Sequence, residues 1–178
     1  DYFDMGWVTT PLRKDPNGYP KVPIEQRWPQ TPYEWSRIKE QSWGVADGIG
    51  VVLGPASHNL ACVDLDDAEA AKLCFLYGPL RDSTRIVKTA RNRCHIYVTE
   101  KQPTLSSTSF KVTFDGREIQ VELKAKGTQV AAVPSPGYEL IGIEQPWALD
   151  NVETCWRLIA DHHLGIIEEK RTTAGYPR

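Results

Sequence analysis

Alternation of apolar and polar residues with a period of two is the feature that most constrains how this chain can fold. It occurs in residues 59–67, 93–98 and 119–126. Because neighbouring side chains of a strand point to opposite faces, each segment predicts a strand with one apolar and one polar face. Such strands suit a sheet that packs one face against a core. With helical segments around them, they predict an α+β domain whose second half is largely antiparallel.

The polar faces of these strands carry ionisable side chains: Asp64 and Asp66, then Arg93 and His95, then Glu122 and Lys124. Two carboxylates at alternate positions of a strand lie about 6.5–7 Å apart, and they repel each other. A bound divalent cation reverses the sign of that interaction, since hard ions take oxygen ligands. The alternative is that each polar face simply meets water.

A third carboxylate on a neighbouring strand would complete a site for two metal ions about 3.5–4 Å apart. Asp64, Asp66 and Glu122 are therefore the candidate catalytic metal ligands, for two Mg²⁺ or Mn²⁺ ions. In such a site one ion activates an attacking hydroxyl and the other binds a triphosphate and its leaving pyrophosphate. The candidate phosphate-binding residues are His95, Lys124 and Arg93. Asp67 is interpreted instead as the cap of the following helix.

The length of 178 residues suits one globular domain. Within it we expect an N-terminal α/β module over residues 1–58, a metal-binding sheet over 59–140, and a C-terminal helix and tail over 141–178. No apolar run is long enough for a membrane helix, so no membrane partner is expected. The first residue is Asp rather than Met, which is consistent with a piece of a longer polypeptide.

Local signals predict three further elements. Thr31 and the residues after it form a capping box, which predicts a helix from there to about residue 41. The pair Asp115-Gly116 favours a type I′ turn and so predicts a hairpin. Asn151 caps a last helix that extends to about His163.

Four cysteines are scattered along the chain without a C-x-x-C pair: Cys62, Cys74, Cys94 and Cys155. This spacing argues against a zinc site. Two disulfides are the alternative, but three of the four thiols lie in apolar-periodic segments. We therefore expect buried free thiols in a protein of the reducing cytoplasm.

The net charge of −2 excludes a general binder of polyanions. A protein of this charge that acts on nucleic acid needs a local basic patch or another domain. The candidate patch consists of Arg81, Arg85, Lys88, Arg91 and Arg93, with Lys124 and Lys126 later in the chain. An ordinary solvated surface is the alternative interpretation.

Three runs of residues resemble the primase-polymerase (Prim-Pol) branch of the archaeo-eukaryotic primase superfamily. The first is the glycine-bearing run 48–54 followed by Val63-Asp64-Leu65-Asp66, which resembles the family's D-x-D or D-x-E strand. The second is residues 89–95, T-A-R-N-R-C-H, which resembles the segment whose histidine contacts the incoming nucleotide. The third is residues 121–124 with Val133-Pro134-Ser135, which resembles the acidic motif that leads to P-P-S.

The resemblance implies a fold in which the N-terminal module packs on a sheet similar to an RNA-recognition motif. It implies template-dependent transfer of nucleotides from nucleoside triphosphates to a 3′-hydroxyl, as in a DNA primase or DNA polymerase. The partners are then single-stranded or primed DNA and nucleoside triphosphates, with an attached or associated helicase or accessory domain. Arg91, Asn92 and Arg93 depart from the family's Ser-Gly-Gly, where glycine lets backbone amides approach phosphates closely.

Two alternatives remain open on the sequence. A metal-dependent nuclease would use the same carboxylates to activate water, but it has no need to bind a triphosphate. A catalytically silent replication-initiator module would bind DNA without these carboxylates, whereas all three acidic positions are filled here.

Overall fold

The computed structural model describes residues 2–24, 43–166 and 169–170, and the predicted helix from Thr31 lies outside them. The strands are β1 Thr9–Lys14, β2 Pro20–Pro23, β3 Gly48–Val52, β4 Leu60–Leu65, β5 Ile86–Lys88, β6 Cys94–Glu100, β7 Thr108–Phe114, β8 Arg117–Lys124, β9 Gln129–Ala132, β10 Glu139–Leu140, β11 Trp147–Leu149 and β12 Glu169–Lys170. The helices are α1 Ala68–Leu76, α2 Gly78–Arg81 and α3 Val152–Ile159, the last continuing as a π-helical turn, Ala160–Leu164.

The strands form two sheets, and the predicted α+β class is confirmed. The smaller sheet has the order β2-β1-β3-β9 and is antiparallel. The larger has the order β10-β5-β6-β4-β8-β7-β12, and its pairs are antiparallel except that β11 joins β6 in parallel. Strand β4 lies between β6 and β8, so the three segments with alternating polarity are adjacent.

Both faces of the larger sheet are covered along β4 and β6, where nearly every residue is buried. The apolar face predicted for β8 packs with α1 and α3 in one core, where Val121 and Trp156 are fully buried. The opposite face packs against the smaller sheet, where Trp7 stacks on Tyr97 with ring centroids 5.9 Å apart. Tyr97 is on the face of β6 that carries His95, and it is completely buried. That face of β6 therefore meets the smaller sheet rather than open water.

Strand β9 belongs to the smaller sheet although it follows β8 of the larger one. Its register pairs Ala131 with Gly50 of β3. The chain after β9 also returns to β3, since the Ser135 hydroxyl accepts a hydrogen bond from Ile49 N at 2.8 Å. A Cβ on Gly48 would lie 2.6 Å from the Ser135 hydroxyl, so this close approach requires glycine.

Three local predictions are confirmed. Asp67 caps α1, since its carboxylate accepts hydrogen bonds from the amides of Glu69 and Ala70. Strands β7 and β8 form the predicted hairpin, whose turn residues Asp115 and Gly116 both have positive φ, as a type I′ turn needs. Asn151 caps α3 through its side chain.

The four cysteines are free and buried, as predicted. In the described residues, no helix combines the length and apolar character needed to cross a membrane.

The capping carboxylate of Asp67 should contribute measurably to stability. It accepts the Ala70 amide at 2.9 Å and pairs with Arg117 across the sheet end. Replacing it in Asp67→Ala is expected to lower the free energy of unfolding by about 1–2 kcal/mol, as for other caps. Burial opposes ionisation, but the Ala70 amide and Arg117 outweigh it and lower the pKa of Asp67.

A lowered pKa means that this stabilisation is complete at neutral pH and is lost as the pH falls below about 4. Urea unfolding at several pH values measures this. Between neutral and acidic pH, the free energy of unfolding should fall less for Asp67→Ala than for the wild-type protein. Asp161→Ala, at an exposed position, is the control. The same acid dependence in Asp67→Ala and in the wild-type protein would contradict the assignment of Asp67 as a stabilising cap.

Candidate active site

Asp64 lies at the centre of the larger sheet, with a candidate site residue on each side. The register of the strands pairs Asp64 with His95 of β6 and with Glu122 of β8. Directly paired residues of neighbouring strands share one face, so the three side chains form a row across the sheet. Asp64 is only 7% exposed, because the smaller sheet covers this face. The register therefore sets Asp64, His95 and Glu122 side by side on the polar face that the alternation of the three strands predicts.

The second row begins where β4 ends. Asp66 accepts a hydrogen bond from Arg93, with 2.7 Å between Oδ1 and Nη1. On its other side the Asp66 amide donates to the carbonyl of Gln120 at 3.2 Å. Both side chains of the ion pair are about two-thirds buried, which limits solvent screening of the pair. Arg93 is therefore held beside the Asp64 row.

Lys124 links two of the candidate carboxylates. Its Nζ contacts Asp64 Oδ2 directly and lies 3.1 Å from Glu122 Oε2. Burial alone would lower the pKa of Lys124, but the two carboxylates raise it above its ordinary value. Burial would likewise raise the pKa of Asp64, but its interactions with His95 and Lys124 lower it. Lys124 and Asp64 are thus a charged pair at neutral pH.

His95 packs on the other side of Asp64, with 3.6 Å between its Nε2 and Asp64 Oδ1. Burial lowers the pKa of His95, while the charge of Asp64 acts in the opposite direction. The imidazole is therefore neutral at physiological pH and carries one N–H donor. Its Nδ1 is buried and has no hydrogen-bond partner within the described part of the chain.

The turn before His95 shows how the chain replaces the family's glycines. Thr89 N donates to the carbonyl of Arg93 at 2.8 Å, and Asn92 N donates to the carbonyl of Thr89. Asn92 adopts φ 57°, a left-handed conformation that asparagine tolerates better than most residues. The turn is therefore formed without glycine, and Arg91 extends from it.

A cleft opens between the two sheets above this row, and we call it the nucleotide cleft after the ligand that the sequence analysis predicts for His95, Lys124 and Arg93. Asp64, Asp66, Arg93, His95 and Lys124 line it. Its other wall comes from β2 and the loop before it, and from β9 and the loop after it. The sequence analysis assigned no role to the wall residues Tyr19, Lys21, Gln129 and Tyr138. Arg91 lies over the Tyr19 ring, 4.5 Å from its centroid. A signal existed for Tyr138, which closely follows the run Val133-Pro134-Ser135 that resembles the family.

Tyr138 contributes a neutral phenol to the cleft. Its ring centroid lies 6.1 Å from that of His95. Burial raises the pKa of Tyr138 to about 12, and the charge of Asp64 adds to the effect. The phenol therefore keeps its O–H donor at physiological pH.

The predicted basic patch is only partly present. Arg91 and Arg93 line the nucleotide cleft, but Arg85 is 4% exposed and lies over the rings of Tyr2 and Trp7. Its guanidinium also donates to the carbonyl of Glu144. Including Arg85 in a surface patch was therefore wrong, because alternation along a strand does not reveal that a second layer covers the face.

The carboxylates fit a divalent cation by chemistry, although they are not gathered into a metal centre here. Among the described residues, no group of three or more His, Cys, Asp or Glu is arranged to hold a metal ion. Glu122 lines a neighbouring groove rather than the nucleotide cleft, and the Lys124 ammonium lies between it and Asp64. That ammonium shows that the space between the two carboxylates accommodates a cation. Their role as metal ligands stays a prediction.

A family model described as bifunctional DNA primase/polymerase, N-terminal, matches residues 1–149. No curated protein matches the sequence.

Proposed function

This chain belongs to the Prim-Pol family of bifunctional DNA primases/polymerases, and from that premise we propose that it extends a 3′-hydroxyl on a DNA template with nucleoside triphosphates. One observation of the structure supports the proposal independently of the family match. Asp64 lies between His95 and Glu122 on the sheet, and Asp64 and His95 line one cleft together with the cationic side chains of Arg93 and Lys124. Carboxylates beside cationic groups are the combination that nucleotidyl transfer needs.

The nucleotide cleft would bind the nucleoside triphosphate. Arg93 and Lys124 supply positive charge on the floor, and Lys21 and Arg91 supply it from the opposite wall. The neutral imidazole of His95 would donate one hydrogen bond to a phosphate oxygen. Tyr138 and Tyr19 offer ring surfaces to the sugar or base. A nuclease has no need of so many phosphate-binding groups in one cleft, which favours nucleotidyl transfer.

In the reaction, the 3′-oxygen bonds to the α-phosphorus and the bond from that phosphorus to the pyrophosphate oxygen breaks. The hydroxyl proton passes to solvent, and pyrophosphate leaves. Asp64, Asp66 and Glu122 would hold Mg²⁺ or Mn²⁺, which supplies Lewis-acid stabilisation of the charge on the phosphate oxygens. The residues of the chain position the triphosphate, because its charges meet Arg93, Lys124 and His95 at fixed places.

The test is extension of a labelled primer on a longer template, with ribonucleotides or deoxyribonucleotides and with Mg²⁺ or Mn²⁺. We expect template-dictated addition that stops when the divalent ion is chelated. Degradation of the primer without added nucleotide would instead identify a nuclease. DNA binding with neither reaction would identify a silent initiator module.

Arg93→Ala should weaken nucleotide binding much more than binding of the DNA template. Losing a hydrogen bond to a charged group costs about 1.5–3 kcal/mol, roughly a ten- to hundredfold loss of affinity. Titrations of labelled nucleotide and of labelled single-stranded DNA measure the two affinities separately. Arg157→Ala on α3, which also removes an arginine paired with a carboxylate, is the control. Equal losses for both ligands would mean that Arg93 belongs to a general basic surface.

A further inference from the structure

A second groove adjoins the nucleotide cleft across Lys124. One wall is residues 105–109, which lead into and begin β7, and the other is residues 126–128, the turn between β8 and β9. Glu122 and Lys124 form its floor. Lys124 lines both the groove and the nucleotide cleft. A ligand in this groove therefore reaches the Asp64–Glu122 row from the side opposite the nucleotide.

Several short side chains of the groove carry hydroxyl groups, and two of them are fixed by hydrogen bonds. Ser107 Oγ accepts a hydrogen bond from Ala125 N at 3.0 Å, and Ser109 Oγ accepts one from Gln120 Nε2. A hydroxyl that accepts a bond still has its own proton to donate. Ser106 and Thr108 are exposed on the same wall. The wall therefore presents several neutral donors in a row.

The charges of the groove differ from those of the nucleotide cleft. Lys126 is exposed on the wall opposite Thr108, and it forms no ion pair with the described residues. Among the described residues that line the groove, the cationic side chains are Lys126 and Lys124 of the shared floor. A triphosphate needs several cations at one place, whereas a nucleic-acid strand carries one charge per phosphate. Hydroxyls and a lysine are typical ligands of a sugar–phosphate backbone.

We propose that this groove holds the 3′-terminal nucleotides of the DNA strand that is extended. Thr108 and its neighbouring hydroxyls donate to the phosphates, and Lys126 pairs with one of them. Leu105, which is 79% exposed at the rim, packs against a sugar or base. The terminal hydroxyl then lies at Glu122 and Lys124, facing the nucleotide across the shared floor. This inference rests on the proposed function, since it assigns the second substrate of the same reaction.

The double variant Lys126→Ala with Thr108→Val tests the groove without touching its floor. Valine keeps the shape of threonine and removes its hydroxyl. Fluorescence anisotropy with a primed duplex that has a recessed 3′ end should show a Kd raised about tenfold, and a salt slope smaller by about one. The KM for nucleotide should not change. Lys72→Ala, an exposed lysine of α1 on the opposite side of the sheet, is the control.

Photo-crosslinking gives a readout of position. A primer ending in 4-thiothymidine should crosslink within the tryptic peptide of residues 102–111, which contains the hydroxyl-bearing wall. Crosslinks elsewhere, or unchanged affinity of the double variant, would overturn the proposal. An equal loss of affinity for unprimed single strands would assign the groove to the template instead, which also overturns it. Wild-type protein that neither binds nor extends primed DNA would show that the proposed function itself is wrong.

Discussion

Asp64→Asn is expected to reduce primer extension by about a thousandfold or more, which corresponds to roughly 4 kcal/mol of transition-state stabilisation. Asparagine keeps the shape of the side chain and removes its charge. Asp64 is the residue that His95, Glu122 and Lys124 all approach, so its charge organises the floor of the nucleotide cleft. Single-turnover extension rates at saturating nucleotide and primer measure the loss of the chemical step. Asp82→Asn, at an exposed ion pair, is the control.

The effect of this substitution on stability tests a second point. From the sequence, two adjacent carboxylates repel each other, so their removal is expected to leave the fold intact or firmer. In the structure Asp64 pairs with Lys124, and Asp66 pairs with Arg93. We therefore expect Asp64→Asn to lower the melting temperature.

The extension rate tests the catalytic role. An Asp64→Asn variant that extends primers at more than a tenth of the wild-type rate would contradict the role of Asp64.

Lys124→Ala should destabilise the metal-free protein by about 3 kcal/mol, because it leaves Asp64 and Glu122 facing each other without a cation. For a chain of this length that corresponds to a fall in melting temperature of about 5–10 °C. Lys124 is largely buried, so solvent does not replace the lost interaction. Differential scanning calorimetry with and without a chelator measures the change.

Divalent metal should restore part of this loss. Under the proposed function Asp64 and Glu122 hold Mg²⁺ or Mn²⁺, so the ammonium would compete with the metal in the wild-type protein and would not do so in the variant. Added metal should therefore raise the melting temperature of Lys124→Ala more than that of wild type, since a ligand stabilises the folded state it binds. Lys111→Ala, which removes an exposed lysine of β7 paired with Glu118, is the control. Equal metal-induced shifts would show that Lys124 does not occupy a metal position.

The sequence was most informative where local geometry decides the outcome. Period-two alternation predicted which side chains share a face of β4, β6 and β8. The cap residue Asp67 predicted the start of α1, and the turn residues predicted the β7–β8 hairpin. Alternation states the face of a side chain but not its rotamer, so it could not show that Lys124 reaches between Asp64 and Glu122. That placement depends on cross-strand register, which the sequence does not state.

Contacts between segments that are distant in sequence could not be predicted from local patterns. Tyr19 and Tyr138 reach the nucleotide cleft only because the smaller sheet covers one face of the larger. The burial of Arg85 has the same cause, since its guanidinium is enclosed by Tyr2 and Trp7 of the N-terminal segment. No local pattern reports such layering, because the contacting residues are far apart in sequence.

The position of β9 has a consequence for how the chain is made. Strands β1 to β3 emerge from the ribosome early, but their sheet lacks its last strand until Ala132 has been synthesised. Until then the edge of β3 offers unpaired amides and carbonyls, the kind of edge that recruits other chains. The smaller sheet is therefore completed only after the strands that bear Asp64, His95 and Glu122 have been synthesised.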